Sequence, residues 1–413
     1  MKVAFLCGAG ISIPAGMPTT REVTEQVLSG AGVARHTSMT YYFGQPMYAH
    51  MGWDDEYVPK VCGFLAILKA ECDRFFNVNG SDEEKRSWWE HFGKHETNYE
   101  DLYYLAAQVH DSEVGEHENP AIQPLIKKIL ASEELGKVLD MRLRGPNRKL
   151  DFSDLHLEAC NYIECVVWSM LSRTPNDLES LRLFAELWAD DSVEKIDVYT
   201  LNHDTVLEQF CAARGIALTH GFGAPVNLVK YWTPALLNDD EQRMRLLKLH
   251  GSVNWFQFPS HGEDWSSRYV GIPLDHDLWH TKDRKVDRQW PSTGRPKMLI
   301  GTSNKLMSYT TGIFADLHFR FYRNMAEADA LVVCGYGFGD KGINTRLLEW
   351  VSSSPERRAV VIDPGLEELQ WTARGAVRRS WKEVKESGKL VLMDMGIEEA
   401  HWAEVRRALR LSA

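Results

Sequence analysis

The run Val3-Ala4-Phe5-Leu6-Cys7-Gly8-Ala9-Gly10-Ile11-Ser12 decides the fold of this chain, because an apolar segment leads directly into a glycine turn. Successive apolar residues predict a buried strand, and Gly8 and Gly10 let the backbone turn tightly and approach a ligand. A helix expected after Pro18 would point unpaired N–H groups at an anion. Ile13 replaces the third glycine of the G-x-G-x-x-G fingerprint, so a phosphate-binding turn and an ordinary tight turn both stay open here.

Composition restricts the classes of function. The chain has 413 residues, 44% of them hydrophobic, which is enough for one elaborated domain or for two. Its formal net charge of −11 repels phosphate backbones, so direct nucleic-acid binding is disfavoured. No apolar run approaches the roughly 20 residues that span a bilayer, so we expect a cytoplasmic protein with no membrane partner. The seven cysteines include no C-x-x-C pair, which argues against disulfides and a structural metal.

The spacing of apolar residues divides the chain into a helical part and a part in which strands and helices alternate. Helical spacing dominates the middle, where we expect helices at residues 21–28, 58–77, 99–110, 122–139 and 155–171. Strand signals follow at residues 196–201, 246–249, 330–334 and 359–362, with helices at 205–214 and around 345–352 between them.

Alternation of strands and helices predicts an α/β fold, a Rossmann-like doubly wound parallel sheet with a large helical insertion. We expect the sheet domain to comprise residues 1–30 and 190–400, the insertion residues 31–189, and a C-terminal tail residues 401–413. Residues 261–296 have no clear period and are expected to cross the surface, as a lid or an oligomer contact.

Polar residues follow four of the predicted strands at the point where each strand ends. They are the turn Gly8–Ser12, Asn202-His203-Asp204, His250-Gly251-Ser252 and Gly335-Tyr336-Gly337-Phe338. Taken singly, Asn202 and Asp204 are good helix N-caps, and a histidine at a strand end is usually structural. Because ligands bind beyond the carboxyl ends of parallel strands, the four together predict a nucleotide site with an amide, a carboxylate and an imidazole.

A second glycine run, Gly337–Gly342, fits G-x-G-x-x-G literally and follows the strand at 330–334. It is the weaker candidate for the cofactor turn, because an acidic residue that ends a later strand first occurs at Asp363. This spacing leaves a ribose contact of Asp363 open.

The motifs now resemble the sirtuin signature in order: Gly8–Ser12, Gly16-Met17-Pro18 with Arg21, Thr200–Asp204 and Lys248–Ser252. They are most similar to prokaryotic sirtuin-like proteins of antiphage defence, whose Asn-Tyr-Glu-Asp-Leu, His-Gly-Ser-x-x-Trp and Gly-Tyr-x-Phe elements recur at 98–102, 250–255 and 335–338. Sirtuin deacylases carry four paired zinc cysteines after the His-Gly element, whereas only Cys334 follows it here. Thr19-Thr20 also stands where deacylases have Asp-Phe, so the resemblance implies a zinc-free NAD⁺ hydrolase.

The resemblance implies a role for each matching residue. Asn202 would hold the attacking water or a ribose hydroxyl, and His250 would be the general base. Asp204 would receive the nicotinamide carboxamide, and Ser12 with the turn amides the pyrophosphate. Arg21 would contact phosphate or form a surface salt bridge. The full set implied to bind NAD⁺ is Gly8, Ala9, Gly10, Ser12, Pro18, Arg21, Asp204, Gly335, Gly337, Phe338 and Asp363, with no metal.

The resemblance therefore implies a toxic effector that depletes NAD⁺ by releasing nicotinamide and ADP-ribose. A nucleotide-binding assembly module without turnover and an NAD-dependent protein deacylase stay open as alternatives, as do use of NADP⁺ and a cyclised product. Such an activity must be held off, so we expect a homo-oligomer or a partner, which in similar systems is a HerA-type ATPase or an Argonaute-like protein.

Overall fold

The computed structural model describes residues 1–36, 39–43, 57–79, 96–115, 119–141, 151–226, 228–238, 242–258, 269–274, 291–302 and 305–410. Most of the predicted surface segment 261–296 lies outside these ranges. Its described residues include a strand.

The described residues form twelve strands: β1 Lys2–Cys7, β2 Val33–Arg35, β3 Tyr41–Phe43, β4 Lys195–Thr200, β5 Phe222–Val226, β6 Val229–Trp232, β7 Met244–Lys248, β8 Phe256–Phe258, β9 Tyr269–Pro273, β10 Ala330–Cys334, β11 Ala359–Ile362 and β12 Leu390–Met393. Their helices are α1 Thr20–Ser29, α2 Tyr57–Asn79, α3 Tyr99–Glu113, α4 Gln123–Leu130, α5 Glu133–Asp140, α6 Phe152–Leu171, α7 Arg182–Ala189, α8 Val206–Ala213, α9 Lys305–Ser308, α10 Gly312–Glu327, α11 Lys341–Ser352, α12 Leu366–Thr372, α13 Ala376–Glu386 and α14 Trp402–Ala408. None of these helices combines the length and the apolar character that crossing a bilayer requires.

A six-stranded parallel sheet has the order β12-β11-β10-β1-β4-β7. Along the chain, β4 and β7 are added on one side of β1, and β10, β11 and β12 are then added on the other side. This is the doubly wound order. The Rossmann-like α/β fold predicted from the alternation is therefore confirmed. Strands β10 and β11 have the bounds that the sequence predicts, whereas β12 was not predicted.

Both faces of this sheet are buried. Val3, Phe5 and Cys7 enter one apolar cluster, and Ala4 and Leu6 enter a second. Because successive side chains of a strand point to opposite faces, a continuous apolar run such as β1 fits a sheet covered on both sides. A separate antiparallel sheet, β5-β6-β9-β8, follows the βα units and was not predicted.

Contacts divide the chain into two compact units. The first comprises residues 1–17, 172–299 and 306–413 and holds the parallel sheet and the four-stranded antiparallel sheet. The second comprises residues 18–171 and 300–305 and is mainly helical. The domain bounds predicted from the sequence, at residues 30, 189 and 400, are not tested by this division and stay a prediction. Within residues 401–413, α14 packs Trp402 and Val405 into the core of the first unit.

The second unit is organised around α6, which buries residues on several sides. Its Glu158 binds the guanidinium of Arg35 and the hydroxyl of Tyr41, and all three side chains are buried. The single helix expected at 122–139 is two helices, α4 and α5. Ser132 interrupts the periodicity because its hydroxyl accepts from the backbone N–H of Leu135 and caps α5.

Helix α1 begins with a capping box. The Thr19 hydroxyl accepts from the N–H of Glu22, and the Glu22 carboxylate accepts from the N–H of Thr19 at 2.7 Å. The expected helix after Pro18 is present, but a carboxylate already lies at its N terminus. Glu22 thus places a negative charge at this helix end, and the expectation that the helix end binds an anion stays a prediction.

We expect Thr19→Ala to lower the free energy of unfolding by about 1 kcal/mol, because a helix N-cap of this kind contributes that much. Denaturant unfolding of the full chain measures the change. Thr20→Ala is the control, since Thr20 is exposed and is not the capping residue. Equal effects of the two substitutions would contradict the assignment of the cap.

Candidate functional site

The carboxyl ends of four neighbouring strands meet at one edge of the parallel sheet. Backbone pairing continues past the strands, from Gly8 N to the Cys334 carbonyl at 3.0 Å, from Leu201 N to the Cys7 carbonyl at 3.0 Å and from Leu249 N to the Thr200 carbonyl at 2.9 Å. The four polar loops predicted from the sequence thus follow β10, β1, β4 and β7 in adjacent positions. The strand order reverses between β1 and β10, which is where doubly wound sheets bind ligands.

The turns after β1 and β10 touch through glycine. The N–H of Gly10 donates to the carbonyl of Gly335 at 2.9 Å, and Gly335 has φ of +59°. A Cβ on Gly10 would lie 2.6 Å from the Cα of Gly335, and one on Gly335 would lie 2.6 Å from the backbone N of Ile11. Gly10 and Gly335 are therefore required for the approach of two backbones, quite apart from any ligand.

Most N–H groups of the first glycine turn are already used inside the protein. The N–H groups of Gly8, Gly10, Ile11 and Ser12 donate to carbonyls of Cys334, Gly335, Gly8 and Ala9. Ala9 is the member of the turn whose N–H is not among these four bonds, and this residue is exposed. As the structure stands, a pyrophosphate contact by the turn rests on Ala9 more than on its neighbours.

A buried polar network joins the turn to the loop after β4. The side-chain amide of Asn202 donates to the Gly8 carbonyl and to the Ser12 hydroxyl, both at 3.0 Å. Ser12 in turn hydrogen-bonds to the carboxylate of Asp204. Since both amide hydrogens are used, Asn202 meets a ligand only through its Oδ1.

Asp204 is held in a mixed environment. Burial raises the pKa of its carboxyl group above the ordinary value, although Lys248, the N–H of Val206 and Ser12 act in the opposite direction. Its Oδ1 accepts from the N–H of Val206 at 3.0 Å at the start of α8. Thr205 is the N-cap residue of α8, so the N-cap interpretation of Asp204 is wrong, although its carboxylate accepts from the first N–H of the helix. Lys248 donates to the backbone carbonyl of Asp204.

His250, at the end of β7, belongs to a second buried network. Its Nε2 lies 2.8 Å from the Tyr309 hydroxyl and 3.4 Å from Oδ2 of Asp340, and Tyr309 donates to that same Oδ2. His318 stacks on Tyr309 with 3.7 Å between ring centres. The loop after β4 reaches the same place, because the N–H of Val253 donates to the His203 carbonyl at 2.9 Å.

The Asp340 carboxylate caps a helix and also lies beside His250. Its Oδ1 accepts from the N–H groups of Gly342 and Ile343, at 2.8 and 3.1 Å, and so caps α11. Burial acts to raise the pKa of its carboxyl group, but hydrogen bonds from His250, Tyr309 and Ile343 lower this pKa well below the ordinary value. The carboxylate is therefore ionised beside the histidine.

The other residues predicted after β10 and β11 differ in their surroundings. The Phe338 side chain is buried against Trp381, with 5.6 Å between ring centres, and its backbone has φ of +51°. No atom of the described residues lies within 4 Å of a Cβ built on Gly337. Asp363 accepts from the N–H of Gly365 at 2.8 Å, and burial raises its pKa.

Pro18 and Arg21 lie in the second unit. The exposed Arg21 side chain pairs with Glu25 at 3.0 Å, one helical turn away. This is the surface salt bridge that the sequence left open beside a phosphate contact. A contact of Arg21 with phosphate stays a prediction.

Sequence reasoning missed the partners of His250. Asp340 follows a strand end, as Asn202 and His250 do, and lies within the glycine run 337–342, so its position was a usable signal. Tyr309 follows the short helix α9 and no motif marks it. Its place beside His250 comes from tertiary packing alone.

No group of three or more His, Cys, Asp or Glu side chains among the described residues is arranged to hold a metal ion.

Comparisons with known proteins identify the family of the central and C-terminal part. Residues 197–385 match a family model described as the SIR2-like domain, so the sirtuin-like family predicted from the motifs is confirmed for this part of the chain. Among solved structures, the chain is similar to a serine-to-alanine mutant of a Sir2 homologue in complex with ADP-ribose. The identity is 10% and the TM-score 0.34, with 100% of this chain and 94% of that chain covered. No curated protein matches the chain.

Proposed function

We propose that this protein, which has a SIR2-like domain at residues 197–385, hydrolyses NAD⁺ to nicotinamide and ADP-ribose. One observation carries the proposal. The buried Asn202–Ser12–Asp204 network and the buried His250 follow adjacent strands at the edge where a doubly wound sheet binds nucleotides. An amide, a carboxylate and an imidazole at one edge of the sheet can position the substrate and accept a proton when an N-glycosidic bond is cleaved.

The reaction breaks the bond between C1′ of the ribose and the nicotinamide nitrogen. The pyridinium ring leaves as neutral nicotinamide, so the leaving group needs no proton. Water forms the new bond to C1′, and its proton passes to His250 and then to solvent. The enzyme must stabilise positive charge on the ribose as the bond breaks, which a preorganised buried polar site does well.

Asn202 and Asp204 divide the positioning of the substrate. With its amide hydrogens held by Gly8 and Ser12, Asn202 offers Oδ1 to the attacking water or a ribose hydroxyl. The Asp204 carboxyl group would accept from the nicotinamide carboxamide. Contacts of Ala9 and Ser12 with the pyrophosphate, and of Asp363 with the adenosine ribose, complete the proposed pose.

Incubation of the purified, oligomeric protein with NAD⁺ and any activator, followed by chromatography, tests the proposal. We expect nicotinamide and ADP-ribose in equal amounts. Tight NAD⁺ binding in calorimetry, with no product formed by the activated assembly, would favour a binding module instead. An acylated ADP-ribose formed only with an acyl-lysine peptide would identify a deacylase. Parallel reactions with NADP⁺ and detection of cyclised ADP-ribose define the substrate and product range.

We further propose that the activity depletes NAD⁺ in antiphage defence and is held off until the protein assembles. The side chains of Asn202, Asp204 and His250 are buried, which suits a site that needs activation. Assembly would be with further copies of the chain or with a partner such as a HerA-type ATPase or an Argonaute-like protein. Light scattering after size-exclusion chromatography, combined with the NAD⁺ assay, tests this. A fully active lone monomer would contradict it.

A further inference from the structure

We infer that Tyr309 and Asp340 are positioning residues for His250, which they hold with a proton on Nε2 so that the base acts through Nδ1. The inference rests on the proposed function, because it assigns the working atom of the same site. It names two side chains to which the sequence motifs assign no role. The three groups come from the end of β7, the segment between α9 and α10, and the N-cap of α11.

The arrangement of donors and acceptors fixes the proton. The Tyr309 hydroxyl carries one hydrogen, and an ionised carboxylate has none to give. Tyr309 therefore donates to Oδ2 of Asp340. The Nε2 of His250, at 2.8 Å from the same hydroxyl oxygen, must then donate to it. A neutral His250 with a proton on Nε2 has its lone pair on Nδ1, so the base acts through Nδ1.

The carboxylate also favours the charged product of the base. When Nδ1 takes a proton from the attacking water, the imidazolium lies 3.4 Å from Oδ2 of Asp340. An opposite charge at this distance stabilises the imidazolium and so raises the basicity of His250. Asp340 acts here as the orienting group of a base, without touching the substrate.

Among the described residues, the other titratable groups around His250 do not replace this carboxylate. His318 faces the pair from α10, and burial together with the charge on His250 lowers its pKa to about 4, so it is neutral near neutral pH. His203, on the loop after β4, lies 6.4 Å from His250 between ring centres. On the segment that pairs with Gly251, the Lys297 ammonium lies over the ring of Phe314.

A purely structural role is the competing explanation, because Asp340 also caps α11 and Tyr309 also packs on His318. Asp340→Asn separates the two explanations. Asparagine is as good an N-cap as aspartate, so the helix keeps its cap. The negative charge beside His250 is removed, and only the positioning role predicts a change in the histidine.

The test measures His250 directly. Nitrogen-15 NMR of the imidazole groups in the full chain, assigned with His250→Gln, reports the tautomer and the pKa of His250. We expect the Nε2–H tautomer in the unsubstituted protein, and a pKa that falls by about one to three pH units in Asp340→Asn. Tyr309→Phe is expected to weaken the preference for the Nε2–H tautomer, because the nearer acceptor is lost and only Oδ2 of Asp340, at 3.4 Å, remains. Asp329→Asn, at the amino end of β10, is the control and should leave His250 unchanged.

Kinetics give the second readout. A general base works when it is deprotonated, so the rate rises with pH through its pKa. In Asp340→Asn that rise is expected at lower pH, with kcat about tenfold lower because a weaker base works less well, and with KM nearly unchanged. An Nδ1–H tautomer in the unsubstituted protein, or an unchanged His250 pKa in Asp340→Asn, would overturn the inference. Because NMR needs no turnover, it decides the tautomer even if the protein does not hydrolyse NAD⁺.

Discussion

Substitution of His250 by alanine is expected to reduce kcat for nicotinamide release by about 10³-fold, since a positioned general base contributes roughly 10²- to 10⁴-fold. The imidazole lies at the end of β7, buried and linked to Tyr309 and Asp340. We expect NAD⁺ binding, measured by calorimetry, to change much less than kcat, because the base acts mainly in the transition state.

Two comparisons make this result specific. His401→Ala removes a half-exposed imidazole that pairs with Glu186 at 2.8 Å on another part of the first unit, and it should leave kcat unchanged. Asn202→Ala should lose activity to a similar degree and also weaken NAD⁺ binding, since its amide supports both Gly8 and Ser12. Nicotinamide release by His250→Ala at the unsubstituted rate would show that the site is wrongly assigned.

Substitution of Gly335 by alanine is expected to lower the free energy of unfolding by roughly 2–5 kcal/mol. Two costs add up. A side chain is strained at φ of +59°, and its Cβ would lie 2.6 Å from the backbone N of Ile11. The atoms it meets belong to the backbone of the first glycine turn, so they cannot move aside as the end of a flexible side chain can.

Gly337→Ala is the matched control from the same loop. A Cβ there meets no atom of the described part of the chain within 4 Å, so the free energy of unfolding should change by no more than about 0.5 kcal/mol. Denaturant unfolding compares the two variants. We expect Gly335→Ala also to weaken NAD⁺ binding, because the turns after β1 and β10 would separate. Equal stability of the two variants would contradict the described contact between these turns.

The sequence predicted the parallel sheet well because its strands are continuous apolar runs with polar residues at their ends. β10 and β11 have the predicted bounds, and β4 and β7 differ from them by only a few residues. β12 was not predicted from the sequence, because Leu390–Met393 is an edge strand whose residues are only partly buried. The four-stranded antiparallel sheet was not predicted either, since β8 has only three residues and β5 contains a proline.

The candidate site was predictable only as a set of strand ends. Asn202, Asp204 and His250 each follow an apolar strand, so their neighbourhood could be inferred from the parallel topology. The bonds they make could not. The Asn202 amide supports the first glycine turn, and His250 depends on Tyr309, which lies 59 residues further along the chain. Such partners arise from packing between distant segments and leave no local pattern.

The pairing of β1 with β10 also affects how the protein folds during synthesis. Val3 is in register with Ala330, so the first strand must wait for most of the chain before its second neighbour exists. At typical rates of translation this wait is roughly tens of seconds. Until then the first glycine turn lacks the Cys334 and Gly335 carbonyls that accept from it. An incomplete nascent chain therefore lacks the assembled contact between the two glycine turns.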